Sequence, residues 1–199
     1  MLKLYRHKDK IEAGCDEAGR GCLAGPVTAA AVVLPKKFSH KLLDDSKKMT
    51  MANRYALREI IEEKALAFFV THVSHTEIDQ INILNASIKA MQLSLDQLCT
   101  PFDFILVDGN RFKTYKDIPY ECIVKGDGKF MSIAAASVLA KTYRDDFMKK
   151  LHEEFPAYAW NENKGYPTMK HRQAIEKYGP TPYHRMSFNL LGDRQLELF

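Results

Sequence analysis

The chain has 199 residues, a hydrophobic content of 46% and a formal net charge of +4 at pH 7. This length suits one domain with a real core. No stretch approaches the roughly 20 uninterrupted apolar residues of a membrane span, and the charged N-terminus precedes no signal-peptide core. We therefore expect a cytoplasmic, monomeric globule that does not interact with membranes. The modest positive charge is compatible with a polyanionic partner but does not identify one.

The first informative stretch is an apolar run that ends in Asp16 and Glu17 and continues into Gly19-Arg20-Gly21. Neighbouring side chains of a strand point to opposite faces, so we expect the strand to end or break here if both carboxylates share one site. The two glycines supply that break and let bare backbone approach a ligand. The arginine adds a fork of donors that suits phosphate. Acids beside a phosphate site indicate a metal ion between them.

Apolar and β-branched runs predict five strands, and their bounds are 11–16, 27–34, 65–73, 102–107 and 120–124. Residues 35–48 are expected to form a polar loop. Helical spacing predicts a helix capped by Thr50, one long helix that begins with a capping box at Ser74 and runs to Leu98, a helix from about 133 to 155, and a short helix around 170–178. This order predicts an α/β fold, with a mixed five-stranded sheet flanked by helices and a helical C-terminal third.

Four acids share one sequence context, because Asp16, Glu17, Asp108 and Asp127 each lie where an apolar strand gives way to a glycine-rich turn. Each acid alone is more often a turn or cap residue. Packed strands would bring all four together, and crowded carboxylates repel unless they are protonated or neutralised by cations. Oxygen ligands without His or Cys suit Mg²⁺ or Mn²⁺. Two such ions about 4 Å apart align a water for attack on a phosphodiester.

Seven blocks of the sequence together resemble bacterial ribonuclease HII, the type 2 branch of the ribonuclease H family. They occur in family order and are Asp16-Glu17-Ala18-Gly19-Arg20-Gly21, Asp45-Ser46-Lys47-Lys48, Val107-Asp108-Gly109-Asn110, Lys125-Gly126-Asp127, Ala135-Ala136-Ser137-Val138-Leu139-Ala140-Lys141, Lys164-Gly165-Tyr166-Pro167-Thr168 and His184-Arg185-Met186-Ser187-Phe188. The resemblance implies a ribonuclease H-like fold in a catalytic domain over residues 1–188, followed by a tail over 189–199. It also implies hydrolysis on the 5′ side of a ribonucleotide, in RNA/DNA hybrids and at single ribonucleotides in duplex DNA, leaving 3′-hydroxyl and 5′-phosphate ends. The implied roles are ribonucleotide excision repair and removal of RNA primers.

The resemblance also implies roles for individual residues. The four acids would bind two Mg²⁺ or Mn²⁺ ions, Gly19, Arg20 and Gly21 would read the ribose 2′-hydroxyl, and Tyr166 would stack on the deoxyribose after the ribonucleotide. The implied phosphate contacts are Ser46, Lys47, Lys141, Arg144, Lys164, His184 and Arg185. From the residues alone, three alternatives to these roles remain open. Tyr166 could be buried under its turn, Lys141 and Arg144 could lie on an exposed helix face, and His184 could be a structural residue. Asp145 and Asp146 are expected on a solvated surface.

The extreme C-terminus resembles the short peptide with which bacterial repair proteins bind the DNA polymerase sliding clamp. Its anchors would be Gln195, Leu196, Leu198 and Phe199. Apolar anchors at this spacing suit insertion into a pocket. The alternative is an amphipathic turn that packs on its own domain.

Three other functions compete with the leading one. A ribonuclease H-like nuclease or phosphotransferase without ribose selectivity would not need Gly19-Arg20-Gly21 or Tyr166. A non-catalytic nucleic-acid or clamp adaptor would lack at least one of the four acids. The ribonuclease HIII branch usually carries an extra N-terminal domain and a different residue in place of the loop arginine, so the HII branch is favoured.

Overall fold

The structure is a computed structural model that describes residues 2–40, 43 and 49–192. Its centre is a five-stranded sheet with strand order β3-β2-β1-β4-β5. The strands are β1 (Glu12–Ala18), β2 (Val27–Val33), β3 (Ala67–Val73), β4 (Phe104–Asp108) and β5 (Tyr120–Ile123). β1 is antiparallel to β2 and parallel to β4, β2 is antiparallel to β3, and β4 is parallel to β5. The predicted mixed sheet is therefore confirmed.

Helices cover both faces of the sheet. They are α1 (Met51–Lys64), α2 (His75–Ile81), α3 (Ile83–Asp96), α4 (Met131–Glu154), α5 (Trp160–Asn163) and α6 (Met169–Tyr178). Alternate residues of β2 show the two layers, because Ala30 and Val32 pack with α1 and α4 while Ala29 and Ala31 pack with α3. This alternation is the period of two that a strand buried on both faces requires. No helix in the described part of the chain is long and apolar enough to cross a membrane.

The start of α4 lies directly against the backbone of β1. A Cβ atom built on Gly14 would come within 2.3 Å of the Ser132 carbonyl carbon and 2.6 Å of the Ile133 nitrogen. No side chain fits in that space, so the glycine permits the helix and the strand to touch through main-chain atoms. The alanine-rich run that follows in α4 is wholly buried and continues this close packing.

The second half of α4 carries the C-terminal region. Met148 and Leu151 pack with Trp160, and α6 contributes Ala174 and Ile175 to the same cluster. The loop after β1 joins the cluster through Leu23 and Ala24. One continuous helix thus links the core of the sheet to the C-terminal helices and to the loop that follows β1.

Two of the predicted helix starts are confirmed in detail. The hydroxyl of Thr50 accepts a hydrogen bond from the Asn53 N–H at 3.2 Å, and the hydroxyl of Ser74 accepts one from the Glu77 N–H at 3.2 Å. Both are N-caps that satisfy a donor of the first turn.

The single long helix predicted from Ser74 to Leu98 is wrong. Asn82 divides it into α2 and α3 because its backbone has a φ of 65° and a ψ of 163°. Its side chain then caps α3, accepting a hydrogen bond from the Asn85 N–H at 3.1 Å. This φ and ψ combination lies outside the left-handed helical region and is strained for a residue with a Cβ, so the break is retained because the Asn82 side chain caps α3.

The solvated surface predicted for Asp145 and Asp146 is only partly correct. Both side chains are half-buried. Asp146 accepts hydrogen bonds from the Tyr55 hydroxyl at 2.5 Å and from the Arg58 guanidinium at 2.6 Å. Asp146 therefore ties α4 to α1.

Candidate active site

The pairing of β1 with β4 brings acids from distant parts of the chain together. The two strands are parallel, and Cys15 lies opposite Val107. The next residue on each strand is an acid, so Asp16 and Asp108 leave neighbouring strands at the same edge of the sheet. Carboxyl ends of parallel strands are where open α/β sheets place their sites. We call the sheet end formed by Asp16, Glu17 and Asp108 the acidic edge.

The predicted break in the strand at the acid pair is wrong, because β1 continues through both acids to Ala18. Asp16 therefore faces α4, where its carboxyl accepts a hydrogen bond from Ser137. Glu17 faces α3 and lines a small pocket with Ser87 and Asp108. The two carboxylates flank the sheet edge from opposite faces instead of converging on one face, and Asp108 on the neighbouring strand interacts with both.

The charges of the acidic edge oppose one another. Burial, followed by the charges of Glu17 and Asp108, raises the pKa of Asp16 well above its usual value. Burial also raises the pKa of Glu17, although Arg20 opposes this shift with an ion pair at 3.2 Å. Ser137 and Lys141 partly offset the repulsion at Asp16. An ionised acidic edge therefore favours an added positive charge.

The fourth acid, Asp127, lies in the 3₁₀ turn Gly126–Gly128 that connects β5 with α4, and its side chain is buried. This turn is attached to the acidic edge by the Gly126 N–H, which donates to Asp108 Oδ1 at 2.6 Å. A Cβ on Gly126 would lie 2.6 Å from the Ile133 side chain and 3.3 Å from Asp108 Oδ1. Glycine at 126 therefore allows the turn to approach the edge.

The donor set of the acidic edge fits a divalent metal ion by its chemistry. The available ligands are carboxylate oxygens that carry excess negative charge. Mg²⁺ and Mn²⁺ prefer oxygen ligands of this kind. Within residues 2–40, 43 and 49–192, however, no three His, Cys, Asp or Glu side chains are arranged to hold an ion. The carboxylates would thus have to turn toward an ion, and other oxygen ligands would have to complete its shell.

Two buried arginines fix the Gly-Arg-Gly loop. Arg185 donates from its guanidinium to the carbonyls of Gly19 at 2.8 Å, Arg20 at 2.9 Å and Gly25 at 3.0 Å. Arg144 lies against Gly19, where a Cβ would come within 2.0 Å of its Nε, and the φ of Gly19 is +89°. The loop backbone is therefore held from beneath, while half of the Arg20 side chain remains exposed.

Arg144 and Arg185 do not make the predicted phosphate contacts. They are 2% and 0% exposed, and both guanidinium groups are engaged by backbone carbonyls. The exposed helix face considered for Arg144 is also wrong. Buried charges of this kind persist only where carbonyls satisfy their donors, so these arginines organise the surrounding loops.

His184 is likewise buried and hydrogen-bonded within the protein, as the structural alternative for this residue predicts. It is 1% exposed, and its Nδ1 accepts a hydrogen bond from the Thr181 N–H at 2.8 Å.

Two lysines among the predicted phosphate contacts lie within the described residues. Lys164 is half-buried and donates to the Asn161 carbonyl at 2.5 Å. Lys141 is half-buried beside Asp16 and donates to the Ser137 hydroxyl at 2.9 Å.

Tyr166 is 48% exposed and is not buried under its turn. Its hydroxyl is in hydrogen-bonding contact with the thiol of Cys22, the residue that follows the Gly-Arg-Gly loop. The Leu23 N–H donates to the Gly165 carbonyl at 2.8 Å, and a Cβ on Gly165 would lie 2.7 Å from the Ala24 carbonyl oxygen. The loop of residues 164–168, here called the tyrosine loop, is therefore packed directly against residues 22–24, which continue the Gly-Arg-Gly loop.

Six predicted site residues lie outside the described residues. They are Ser46, Lys47, Gln195, Leu196, Leu198 and Phe199.

The residue that sequence reasoning missed at the acidic edge is Ser137. It lies between Asp16 and Lys141, and its spacing of four residues from Lys141 places both on one face of α4. The four-residue spacing from Lys141 was the signal in the sequence. Small residues surround Ser137, so its hydroxyl is accessible to a neighbouring strand.

Solved structures with this fold define the class. The ribonuclease H2 from Pyrococcus horikoshii OT3 matches with a TM-score of 0.75 and 25% identity, covering 94% of this chain and 96% of that one. The structure titled as the PCNA:RNase HII complex from Archaeoglobus fulgidus matches with a TM-score of 0.73 and 23% identity, covering 89% of this chain and 95% of that one. The fold is thus that of the type 2 ribonucleases H.

The sequence comparisons identify the branch. The family described as Ribonuclease HII matches residues 13–191. A Ribonuclease HII of Bacteroides thetaiotaomicron is 65% identical over 198 residues, which cover 100% of this chain and 99% of the relative. The chain belongs to the ribonuclease HII family, and it is therefore an endonuclease of the type 2 ribonuclease H class. The adaptor and ribonuclease HIII alternatives are set aside.

Proposed function

We propose that this endonuclease hydrolyses the phosphodiester on the 5′ side of a ribonucleotide, both in RNA/DNA hybrids and at single ribonucleotides in duplex DNA. The products would carry 3′-hydroxyl and 5′-phosphate ends, and the cellular roles would be ribonucleotide excision repair and removal of RNA primers. The observation that carries this proposal is the direct packing of the Gly-Arg-Gly loop against the tyrosine loop, next to the acidic edge. A nuclease without ribose selectivity needs no such pair of loops.

The catalytic residues would be Asp16, Glu17, Asp108 and Asp127. Their carboxylates would hold two Mg²⁺ or Mn²⁺ ions, which when bound activate a water and stabilise the leaving oxygen. The raised pKa of Asp16 and Glu17 supports this assignment, because a cation would relieve the repulsion that causes part of both shifts. Lys141, half-buried beside Asp16, would orient the scissile phosphate.

Substrate discrimination would fall to the two loops. The backbone of Gly19 and Gly21 would approach the ribose 2′-hydroxyl, the group that distinguishes RNA from DNA. Arg20 would contact the adjacent phosphate from its exposed position. The half-exposed ring of Tyr166 would stack on the deoxyribose that follows the ribonucleotide. Lys164, Ser46 and Lys47 are proposed as further phosphate contacts.

The test uses a DNA duplex with one embedded ribonucleotide, an RNA/DNA hybrid and an all-DNA duplex of the same sequence. We expect cleavage 5′ to the ribonucleotide only with Mg²⁺ or Mn²⁺ present, and near-complete loss in Asp16→Asn and Asp108→Asn. Asp9→Asn makes the same chemical change on the exposed surface and serves as the control. Cleavage that survives a chelator, or equal cleavage of the all-DNA duplex, would refute the proposal.

A second proposal concerns a partner. The C-terminal peptide anchored by Gln195, Leu196, Leu198 and Phe199 would bind the bacterial DNA polymerase sliding clamp. Its support is the peptide sequence, and the Archaeoglobus fulgidus relative is titled as a complex with PCNA. Retention of the full chain on immobilised clamp is expected to be lost in a chain that ends at Arg194. Equal retention of the two chains would exclude this partner.

A further inference from the structure

A chain of buried side chains connects the C-terminal region with the tyrosine loop. Thr181 contacts His184, His184 contacts His171, and His171 contacts both Trp160 and the backbone carbonyl of Tyr166. His171, His184 and Trp160 are 0%, 1% and 0% exposed. We call this set the histidine relay. No contact described above links the histidine relay to the acidic edge. The relay ends at the backbone carbonyl of Tyr166, the residue proposed to recognise the junction.

The donors in the histidine relay determine the proton positions on both rings. The indole nitrogen of Trp160 can only donate, so its N–H donates to His171 Nε2, which lies 2.9 Å away. His171 Nε2 therefore carries no proton. A neutral His171 has its proton on Nδ1 and donates it to the Tyr166 carbonyl at 2.9 Å. This is the tautomer that the contacts require.

The same reasoning applies to His184. The backbone N–H of Thr181 is a donor, so His184 Nδ1 accepts at 2.8 Å and carries no proton. The proton of neutral His184 lies on Nε2, which is 3.2 Å from His171 Nε2. The single lone pair of His171 Nε2 is thus shared between the Trp160 N–H at 2.9 Å and, as the longer contact, the His184 N–H at 3.2 Å. Both neighbours favour one tautomer of His171.

Burial keeps both rings neutral. It lowers the pKa of His171 and, together with the neighbouring His171, lowers the pKa of His184 to about 4. A neutral His171 retains the lone pair on Nε2 that accepts from Trp160. The relay is thus intact at neutral pH.

Three hydrogen bonds hold the backbone of Tyr166. Its N–H donates to the Asn163 carbonyl at 2.9 Å, and its carbonyl accepts from the Thr168 N–H at 2.8 Å in addition to His171. Both backbone partners belong to the same short turn. His171 is buried on α6 beside Trp160, so it adds an anchor on the α6 side of the turn to those that Leu23 and Arg144 make at Gly165 and Lys164, while the tyrosine ring stays half-exposed.

We propose that His171 is a positioning residue for Tyr166, held in the Nδ1–H tautomer by Trp160 and His184, and that it thereby sets the selectivity for single ribonucleotides in duplex DNA. The inference rests on the proposed function of Tyr166. A continuous RNA/DNA hybrid offers the Gly-Arg-Gly loop many ribonucleotides and depends less on junction recognition. The relay therefore acts on the ratio of the two activities, and not on hydrolysis itself.

The kinetic test compares His171→Leu with His171→Asn. Leucine fills the space without a donor, whereas the asparagine amide N–H replaces the Nδ1–H donor. For His171→Leu we expect kcat/KM at a single ribonucleotide to fall about tenfold relative to the hybrid, the factor expected when one hydrogen bond is lost. His171→Asn should restore the ratio to within about threefold of the wild type. Equal loss on both substrates, or no recovery with asparagine, would overturn the proposal.

A second measurement needs no variant. In the wild-type protein labelled with ¹⁵N-histidine, correlations between ring nitrogens and ring carbon-bound protons at pH 7 should assign His171 to the Nδ1–H tautomer and His184 to the Nε2–H tautomer. An Nε2–H or doubly protonated His171 would overturn the proposal. The chain has one tryptophan, so the emission of Trp160 reports whether each variant keeps the folded cluster.

Tyr166→Ala separates this inference from the function on which it rests. If Tyr166→Ala leaves the substrate ratio unchanged, the proposed role of Tyr166 fails and the inference fails with it. If Tyr166→Ala lowers the ratio while His171→Leu does not, the inference alone fails. A lowered ratio in both, with recovery in His171→Asn, supports the inference.

Discussion

Replacing Arg144 with methionine is expected to destabilise the protein strongly. The Arg144 guanidinium donates to the carbonyls of Lys164 at 2.7 Å, Pro26 at 3.0 Å and Ala24 at 3.1 Å. Each buried carbonyl left without a donor costs about 1–3 kcal/mol. The bonds to Pro26 and Ala24 are fully buried and the third is partly so, and loss of a buried charge returns some of the energy. The expected loss is therefore about 3–6 kcal/mol of the free energy of unfolding.

Urea denaturation followed by circular dichroism measures this loss. With a slope of about 2 kcal/mol per molar urea, the midpoint should fall by about 1.5–3 M in Arg144→Met. Arg144→Lys keeps the charge but can satisfy fewer carbonyls, so its midpoint should lie between those of the wild type and Arg144→Met. Lys150→Met removes an exposed cation from the same helix and should leave the midpoint unchanged. A midpoint for Arg144→Met within about 0.5 M of the wild type would refute the reasoning.

Three further changes test other parts of the structure. Asp16→Asn removes one of three mutually repelling carboxylates, so its thermal midpoint in the presence of a chelator should rise by about 2 °C or more while cleavage is lost; a lower midpoint would contradict the repulsion. Because folding lowers the pKa of His184 from its usual 6.5 to about 4, the unfolded chain binds more protons between these values, and stability is present above pH 6.5 and lost as the pH falls toward 4. That loss, about 3 kcal/mol at most, should be smaller in His184→Gln when unfolding is measured across this range, and an unchanged pH dependence would assign the loss to other groups. Asn82→Gly loses the cap bond but relieves the backbone strain, so the free energy of unfolding should change by less than about 1 kcal/mol, whereas Asn82→Ala loses the cap and keeps the strain and should cost about 1–2 kcal/mol in urea denaturation; equal effects would mean that the backbone conformation is unimportant.

Most of the sheet could be predicted from the sequence because its central strands β1, β2 and β4 are largely buried on both faces. Runs such as Val27–Val33 are apolar apart from Thr28, and proline and glycine residues mark their ends. The acids of the acidic edge follow from the same punctuation, since Asp108 and Asp127 stand where strands end. The match with the ribonuclease HII family then confirmed the class.

Other features depend on packing that a linear sequence does not express. Arg144 and Arg185 have the composition of phosphate ligands, and only the fold shows that three carbonyls surround each of them. The apolar spacing on either side of Asn82 is continuous, so the break depends on one backbone conformation. The opposite orientations of Asp16 and Glu17 require knowledge that β1 continues to Ala18.

The contact of α4 with β1 at Gly14 has a consequence for the precision of the acidic edge. Two main chains that meet without intervening side chains have no rotamers between them, so their separation is fixed by covalent geometry and hard-sphere contact. The register between Asp16 on the strand and Ser137 on the helix therefore stays constant while residues elsewhere in the core are exchanged. A side chain at position 14 would push α4 away from β1 and move Ser137 away from Asp16.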